Sequence, residues 1–180
     1  MRTLVLGGIR SGKSRWAETA IAENLAVGDP VRYLATGAVR TADAAWQHRI
    51  ATHRDRRPPW WHTVETLDIA AQLRANPGTP TLIDDIGGWL AAMLDRRGWD
   101  TGSVESETDD LVAALGEVRA DVVLVSPEVG LTVVPATASG RLFADALGTL
   151  NQRLADRCER VVLVIAGQPV LVKSAAAVSG

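Results

Sequence analysis

Eight residues near the amino end have the types and spacing to hold a polyphosphate. Gly7, Gly8, Ile9, Arg10, Ser11, Gly12, Lys13 and Ser14 match the pattern of a glycine, four residues, then Gly-Lys-Ser. Glycines let successive backbone N–H groups turn inward around an anion. A helix beginning at the end of such a loop adds the positive end of its dipole. Lys13 can reach the outer phosphates of a nucleoside triphosphate, and the Ser14 hydroxyl can ligate Mg²⁺. The apolar Leu4-Val5-Leu6 precedes the loop and a helix-like Arg15 to Asn24 follows it. Strand, loop and helix together are the context this chemistry needs.

A phosphate loop says nothing of what happens to the nucleotide. Two further groups bear on that. Asp84 and Asp85 follow the short apolar run Thr81-Leu82-Ile83, where a strand-end carboxylate can hold Mg²⁺ directly or through water. Asp84 is favoured because it follows the strand directly; the alternative is an ordinary Asx turn. The stretch RIATHRDRRP places His53 among Arg49, Arg54, Arg56 and Arg57, with Asp55 between. Surrounding positive charge favours a neutral imidazole, and the arginines can grip phosphate oxygens. A neutral imidazole beside bound phosphates can attack phosphorus and form a phosphoramidate. On the pattern alone, a basic helix is more commonly a solvated face.

The elements that must position these groups read as alternating strands and helices. Strands are expected at Arg2 to Leu6, Val31 to Ala35, Trp60 to Glu65, Thr81 to Ile83, Asp121 to Val125, Glu159 to Ile165 and Val170 to Lys173. Helices are expected at Lys13 to Asn24, Thr41 to Arg57, Leu67 to Ala75, Ile86 to Arg97, Ser103 to Arg119 and Arg141 to Arg157, with Ser126 to Ser139 a functional loop. Phe143, Leu147, Leu150 and Leu154 mark the buried face of the last helix. This alternation predicts an α/β fold with a mostly parallel sheet, in one domain over residues 1–180 with a flexible tail from Ser174 to Gly180. The 180 residues carry a net charge of −2, which implies no strong field for nucleic acid or membrane. Cys158 is the single cysteine, excluding an internal disulfide or a cysteine metal cluster. No secretory leader or membrane-spanning run is read at the start or elsewhere, so a cytoplasmic protein is expected.

Further stretches give the chain a family likeness. They are GGIRSGKSR at Gly7 to Arg15, YLAT at Tyr33 to Thr36, RIATHRDRRP at Arg49 to Pro58 and W-x-T-x-E at Trp61 to Glu65. Asp84 and Trp89-Leu90 follow, then VSPEVG at Val125 to Gly130, VVP at Val133 to Pro135 and R-x-F-x-D-x-x-G at Arg141 to Gly148. NQRLA at Asn151 to Ala155 and VVLVIAGQP at Val161 to Pro169 complete the set. In this ordered set the chain resembles the bifunctional adenosylcobinamide kinase / adenosylcobinamide-phosphate guanylyltransferase family of cobalamin assembly, from about Arg2 to Lys173. The resemblance implies a P-loop NTPase-like (RecA-like) domain. It implies phosphorylation of adenosylcobinamide by ATP or GTP with Mg²⁺, then transfer of GMP from GTP to the phosphate through a guanylylated histidine. The matching histidine is His53, with Lys13 the second catalytic residue. The family's nucleotide contacts fall on Gly7 to Ser14, on Thr36, Gly37 and Ala38, on Arg54, Asp55, Arg56 and Arg57, on Glu65 and on Asp84. Ser14 and Asp84 fall at the metal. A homo-oligomer is also implied.

The chain departs from the family pattern at Ile9, at Asp85 and Gly87 in Asp84-Asp85-Ile86-Gly87, at Pro127 and at Ala144, changes that bear on metal and substrate contacts more than on reaction type. Two other functions stay open: a P-loop kinase for another small alcohol, and a nucleotide-binding regulatory protein.

Overall fold

Apolar residues alternate along the central strands, and the alternation sorts them onto two buried faces of one sheet. In the computed structural model, which describes residues 1–37, 57–99 and 103–174, the strands are β1 (Arg2–Gly7), β2 (Arg32–Ala35), β3 (His62–Glu65), β4 (Thr81–Asp84), β5 (Val122–Pro127), β6 (Arg160–Ile165) and β7 (Gln168–Lys173). The helices among the described residues are α1 (Lys13–Ala22), α2 (Ile69–Ala75), α3 (Ile86–Arg97), α4 (Glu105–Glu117) and α5 (Ala138–Arg157). Strand order is β3-β2-β4-β5-β1-β6-β7, parallel throughout except for the antiparallel β6–β7 pair.

Val5, Tyr33, Leu82, Val123, Val162 and Val164 form one core face, closed by Ala17 and Ile21 of α1. Their neighbours Leu4, Leu34, Ile83 and Leu124 point the other way, into a larger cluster with α2, α3, α4 and α5. Near-continuous apolar runs are what a sheet covered on both sides requires. Leu147, Leu150 and Leu154 are buried on α5 as its spacing predicts, with Phe143 half-buried beside them. The α/β class and the mostly parallel sheet agree with the sequence.

Several boundaries differ from the sequence reading. Helix α5 begins at Ala138 rather than Arg141, because the Thr137 hydroxyl accepts from the Gly140 amide and caps it. Strand β5 runs on to Pro127, taking two residues from the expected loop. Strand β7 starts at Gln168, joined to β6 by the two-residue turn Ala166-Gly167. Both turn residues have positive φ, 51° and 78°, which suits the twist of a tight hairpin. The expected helix at Thr41 to Arg57 lies outside the described residues except for Arg57, and the tail does so beyond Ser174.

Candidate active site

The phosphate loop leaves the carboxyl end of β1, the edge of a parallel sheet where ligands bind. It is braced from within and from outside. The Ser11 amide donates to the Gly8 carbonyl at 3.3 Å, and Trp16 N to Gly12 O at 3.0 Å starts the helical ladder. Gly12 is the N-cap of α1, at φ 92°, with no side-chain acceptor on the first helical amides. Those donors therefore remain for an anion. Lys13 Nζ rests on the Gly8 carbonyl at 3.3 Å, folded back over the loop.

The outside brace is the β6–β7 turn, which the sequence reading did not connect with the loop. Gly167 N donates to Ser11 O at 2.8 Å. A Cβ built on Gly12 would lie 3.1 Å from Gly167 Cα, so the two backbones are in near contact. The Ala-Gly pair between VVLVI and QPVLVK is the sequence signal for this turn, but only the fold shows what it touches.

Strand β4, separated from β1 by β5, brings the acid. Asp84 ends the strand and Asp85 does a different job. Ser14 Oγ lies 3.3 Å from Asp84 Oδ1, and the Tyr33 hydroxyl donates to Asp84 Oδ2 at 2.6 Å. Asp85 is the N-cap of α3, its Oδ1 accepting from the Gly88 amide. Burial pushes the Asp85 carboxyl above its usual range; the Gly88 amide and Lys13 oppose that, and Asp84 adds to it. The geometry thus separates the two acids that the sequence left adjacent.

Thr36, just past β2, is tied to both. Its amide donates to Asp84 O at 3.2 Å and its hydroxyl to Asp85 O at 2.6 Å. Gly37 follows, exposed. Tyr33 is missed by any motif reading except as part of YLAT. Burial, then the charge of Asp84, push its phenol upward, so it stays a donor. Over the Tyr33 ring stands Arg57, its guanidinium carbon 3.5 Å from the ring centroid, while Nη1 donates to Thr63 Oγ1 at 2.8 Å. Arg57 thereby joins the acid through Tyr33.

Glu65 is not brought to the same spot. It is exposed at the end of β3, the outermost strand, about 19 Å across the sheet from β1 at ordinary strand spacing. His53, Ala38, Arg54, Asp55 and Arg56 lie outside the described residues. Among the departures from the family pattern, Ile9 is 93% exposed at the loop tip, where it crowds no backbone donor. Ala144 lines a groove of about 810 Å³ between α5 and the loop after β5, with Val133, Val134, Arg141 and Lys173.

Ser14 and Asp84 supply two hard oxygen donors, from a helix start and a strand end, facing each other beside the loop. Such a pair fits Mg²⁺, which takes one or two protein oxygens and completes its shell with phosphate and water. Among the described residues no cluster of three or more His, Cys, Asp or Glu could hold a metal by itself. No helix among them is long and apolar enough to cross a membrane.

Comparison with known proteins identifies the family. Residues 3–172 match the family model described as cobinamide kinase / cobinamide phosphate guanyltransferase. The chain is 43% identical over 176 residues to the bifunctional adenosylcobalamin biosynthesis protein CobP of Pseudomonas aeruginosa, covering 96% of this chain and 98% of that one. It is 36% identical over 187 residues to the bifunctional adenosylcobalamin biosynthesis protein CobU of Salmonella typhimurium, covering 96% of this chain and all of that one. The CobU protein of Escherichia coli matches to the same extent. The chain belongs to the cobinamide kinase / cobinamide phosphate guanyltransferase family.

Proposed function

We propose that the protein phosphorylates adenosylcobinamide with ATP or GTP and then transfers GMP from GTP to adenosylcobinamide phosphate, acting in the cytoplasm as one catalytic domain. The observation that carries this reading is the facing of Ser14 and Asp84, 3.3 Å apart at the mouth of the phosphate loop, in a chain of this family. In the first reaction the acceptor hydroxyl oxygen bonds to the γ-phosphorus, the bond to the β-bridging oxygen breaks, and the nucleoside diphosphate leaves. The hydroxyl proton passes to solvent. Loop amides and Lys13 offset the charge on the transferring group. Ser14 and Asp84 would hold Mg²⁺, which when bound neutralises phosphate charge.

In the second reaction a His53 nitrogen bonds to the α-phosphorus of GTP and pyrophosphate leaves. A phosphate oxygen of adenosylcobinamide phosphate then displaces the imidazole, giving adenosylcobinamide-GDP. Arg57, four residues after His53, stands over Tyr33 beside Asp84, which supports an approach of this segment to the loop. Thr36, Gly37 and Ala38, with Arg54, Asp55 and Arg56, would complete the nucleotide's surroundings. Glu65 on the far strand suits the distal end of the nucleotide rather than its phosphates. A homo-oligomer is part of the same reading; exposed Leu131, Val133, Val134, Leu171 and Val172 support it.

The test uses purified protein with α-labelled GTP and, separately, a kinase assay on adenosylcobinamide. His53→Ala is expected to lose protein labelling and GMP transfer while keeping most kinase turnover. Lys13→Ala is expected to slow both reactions, on the order of a hundredfold. Full GMP transfer by the His53 variant would remove the histidine from the mechanism, whereas a wild type that takes no label and transfers no GMP would be a plain kinase.

A further inference from the structure

Tyr33 and Asp84 sit on different strands, yet sheet parity puts them on the same side. In the register Tyr33 pairs with Leu82 and Ala35 with Asp84. Side chains alternate with period two, so Tyr33, Leu82 and Asp84 all face α1. Tyr33 is diagonal to Asp84, a separation an aromatic side chain can span. Its hydroxyl closes that gap at 2.6 Å to Oδ2, leaving Oδ1 toward Ser14 at 3.3 Å. The ring is 3% exposed, packed in the core face beneath α1 with Arg57 over it. A side chain so confined has little rotamer freedom, and a carboxylate bonded to it is confined with it.

We propose that Tyr33 is a positioning residue for Asp84: its hydroxyl holds one carboxylate oxygen so that the other is presented to Ser14 and to a divalent cation on the nucleotide. The inference rests on the reading that Ser14 and Asp84 hold that cation. It gives the tyrosine of YLAT a task that is neither packing alone nor contact with substrate. Ligand-orienting partners of this kind change metal affinity by about 10- to 100-fold when removed. Tyr33→Phe removes only the hydroxyl and keeps the ring under Arg57, so it isolates the bond to Asp84.

The experiment is calorimetry on the full chain with a non-hydrolysable ATP analogue. Nucleotide affinity is measured without metal, and Mg²⁺ is then titrated into the protein–nucleotide complex. The wild type, Tyr33→Phe and Asp84→Asn are compared. The expected result is an Mg²⁺ affinity about tenfold weaker in Tyr33→Phe, a larger loss in Asp84→Asn, and unchanged metal-free nucleotide affinity in Tyr33→Phe. Loss in Asp84→Asn with a wild-type response in Tyr33→Phe would overturn the positioning role and leave the metal site standing. Equal weakening of metal-free and metal-bound affinity in Tyr33→Phe would mean a structural role only and would also overturn it. Wild-type Mg²⁺ affinity in Asp84→Asn would remove the metal site itself, and the inference with it.

Discussion

Pro127 occupies the space that a side chain at position 87 would need. A Cβ built on Gly87 would lie 2.6 Å from Pro127 Cγ and 2.8 Å from its Cδ. Gly87 is in the first turn of α3, directly after the acid pair, and Pro127 ends β5. The resemblance marks both positions as expected departures from the family pattern, and the fold places them side by side. Asn151 holds the same strand end from α5, donating to Pro127 O at 3.1 Å while the buried Ser126 hydroxyl donates to Asn151 Oδ1 at 2.6 Å.

Gly87→Thr alone is therefore expected to destabilise the protein by about 1–3 kcal/mol, the usual cost of overpacking a closed site. Adding Pro127→Asn should recover part of that loss. Thermal or urea unfolding of the two single variants and the double variant gives the coupling energy. Simple additivity of the two changes would show that the contact is not what ties these positions together.

The bond from Gly167 to Ser11 predicts a remote effect on nucleotide binding. Gly167 sits at φ 78°, and nothing lies within 4 Å of a Cβ built there, so conformation rather than crowding limits the position. Gly167→Val is expected to cost about 1–2 kcal/mol through left-handed strain and to weaken nucleotide affinity, although the residue is on a hairpin turn. Gly167→Asn, which tolerates this conformation, should stay near wild type. Isothermal titration with nucleotide, alongside melting curves, separates the outcomes; equal affinities in all three proteins would mean that the turn does not brace the loop.

Acid stability provides an independent check on the packing of β1 against β6. Burial alone would raise the Glu159 carboxyl, but the side-chain and backbone hydrogen bonds of Arg2 and its charge outweigh that and hold it down, from 4.5 to about 2. Arg2 Nε donates to Glu159 Oε1 at 3.0 Å. A carboxyl depressed in the folded state contributes stability that is present above about pH 4.5 and lost as pH falls toward 2. Because the Glu159 side chain is 35% exposed, the contribution is small, no more than about 1 kcal/mol. Unfolding free energies of the wild type and Glu159→Gln should differ most above pH 4.5 and converge near pH 2. A constant difference across that range would assign the effect to packing instead.

The phosphate loop was legible in the sequence because its chemistry is local. Gly7 to Ser14 are contiguous, their donors are mainly backbone groups, and the flanking strand and helix announce themselves by their own periodicity. Asp84 was legible for the same reason, as a polar residue ending a short apolar strand. The α/β class followed from alternation along the chain. Tertiary structure decided everything that depends on register. Tyr33 meets Asp84 across 51 residues because parallel pairing of β2 with β4 fixes which side chains share a face, and Ser14 meets Asp84 across 70 because α1 packs on that same face. A shift of one residue in that pairing would send Tyr33 to the wrong side of the sheet relative to the acid. Asp84 and Asp85 are identical in type, and position along the strand already favoured Asp84; only the fold gives the second acid its own task, with one facing Ser14 and the other capping α3. The nearness of Gly167 to Gly12, and of Pro127 to Gly87, likewise arises from strands and turns laid side by side, which no local pattern encodes.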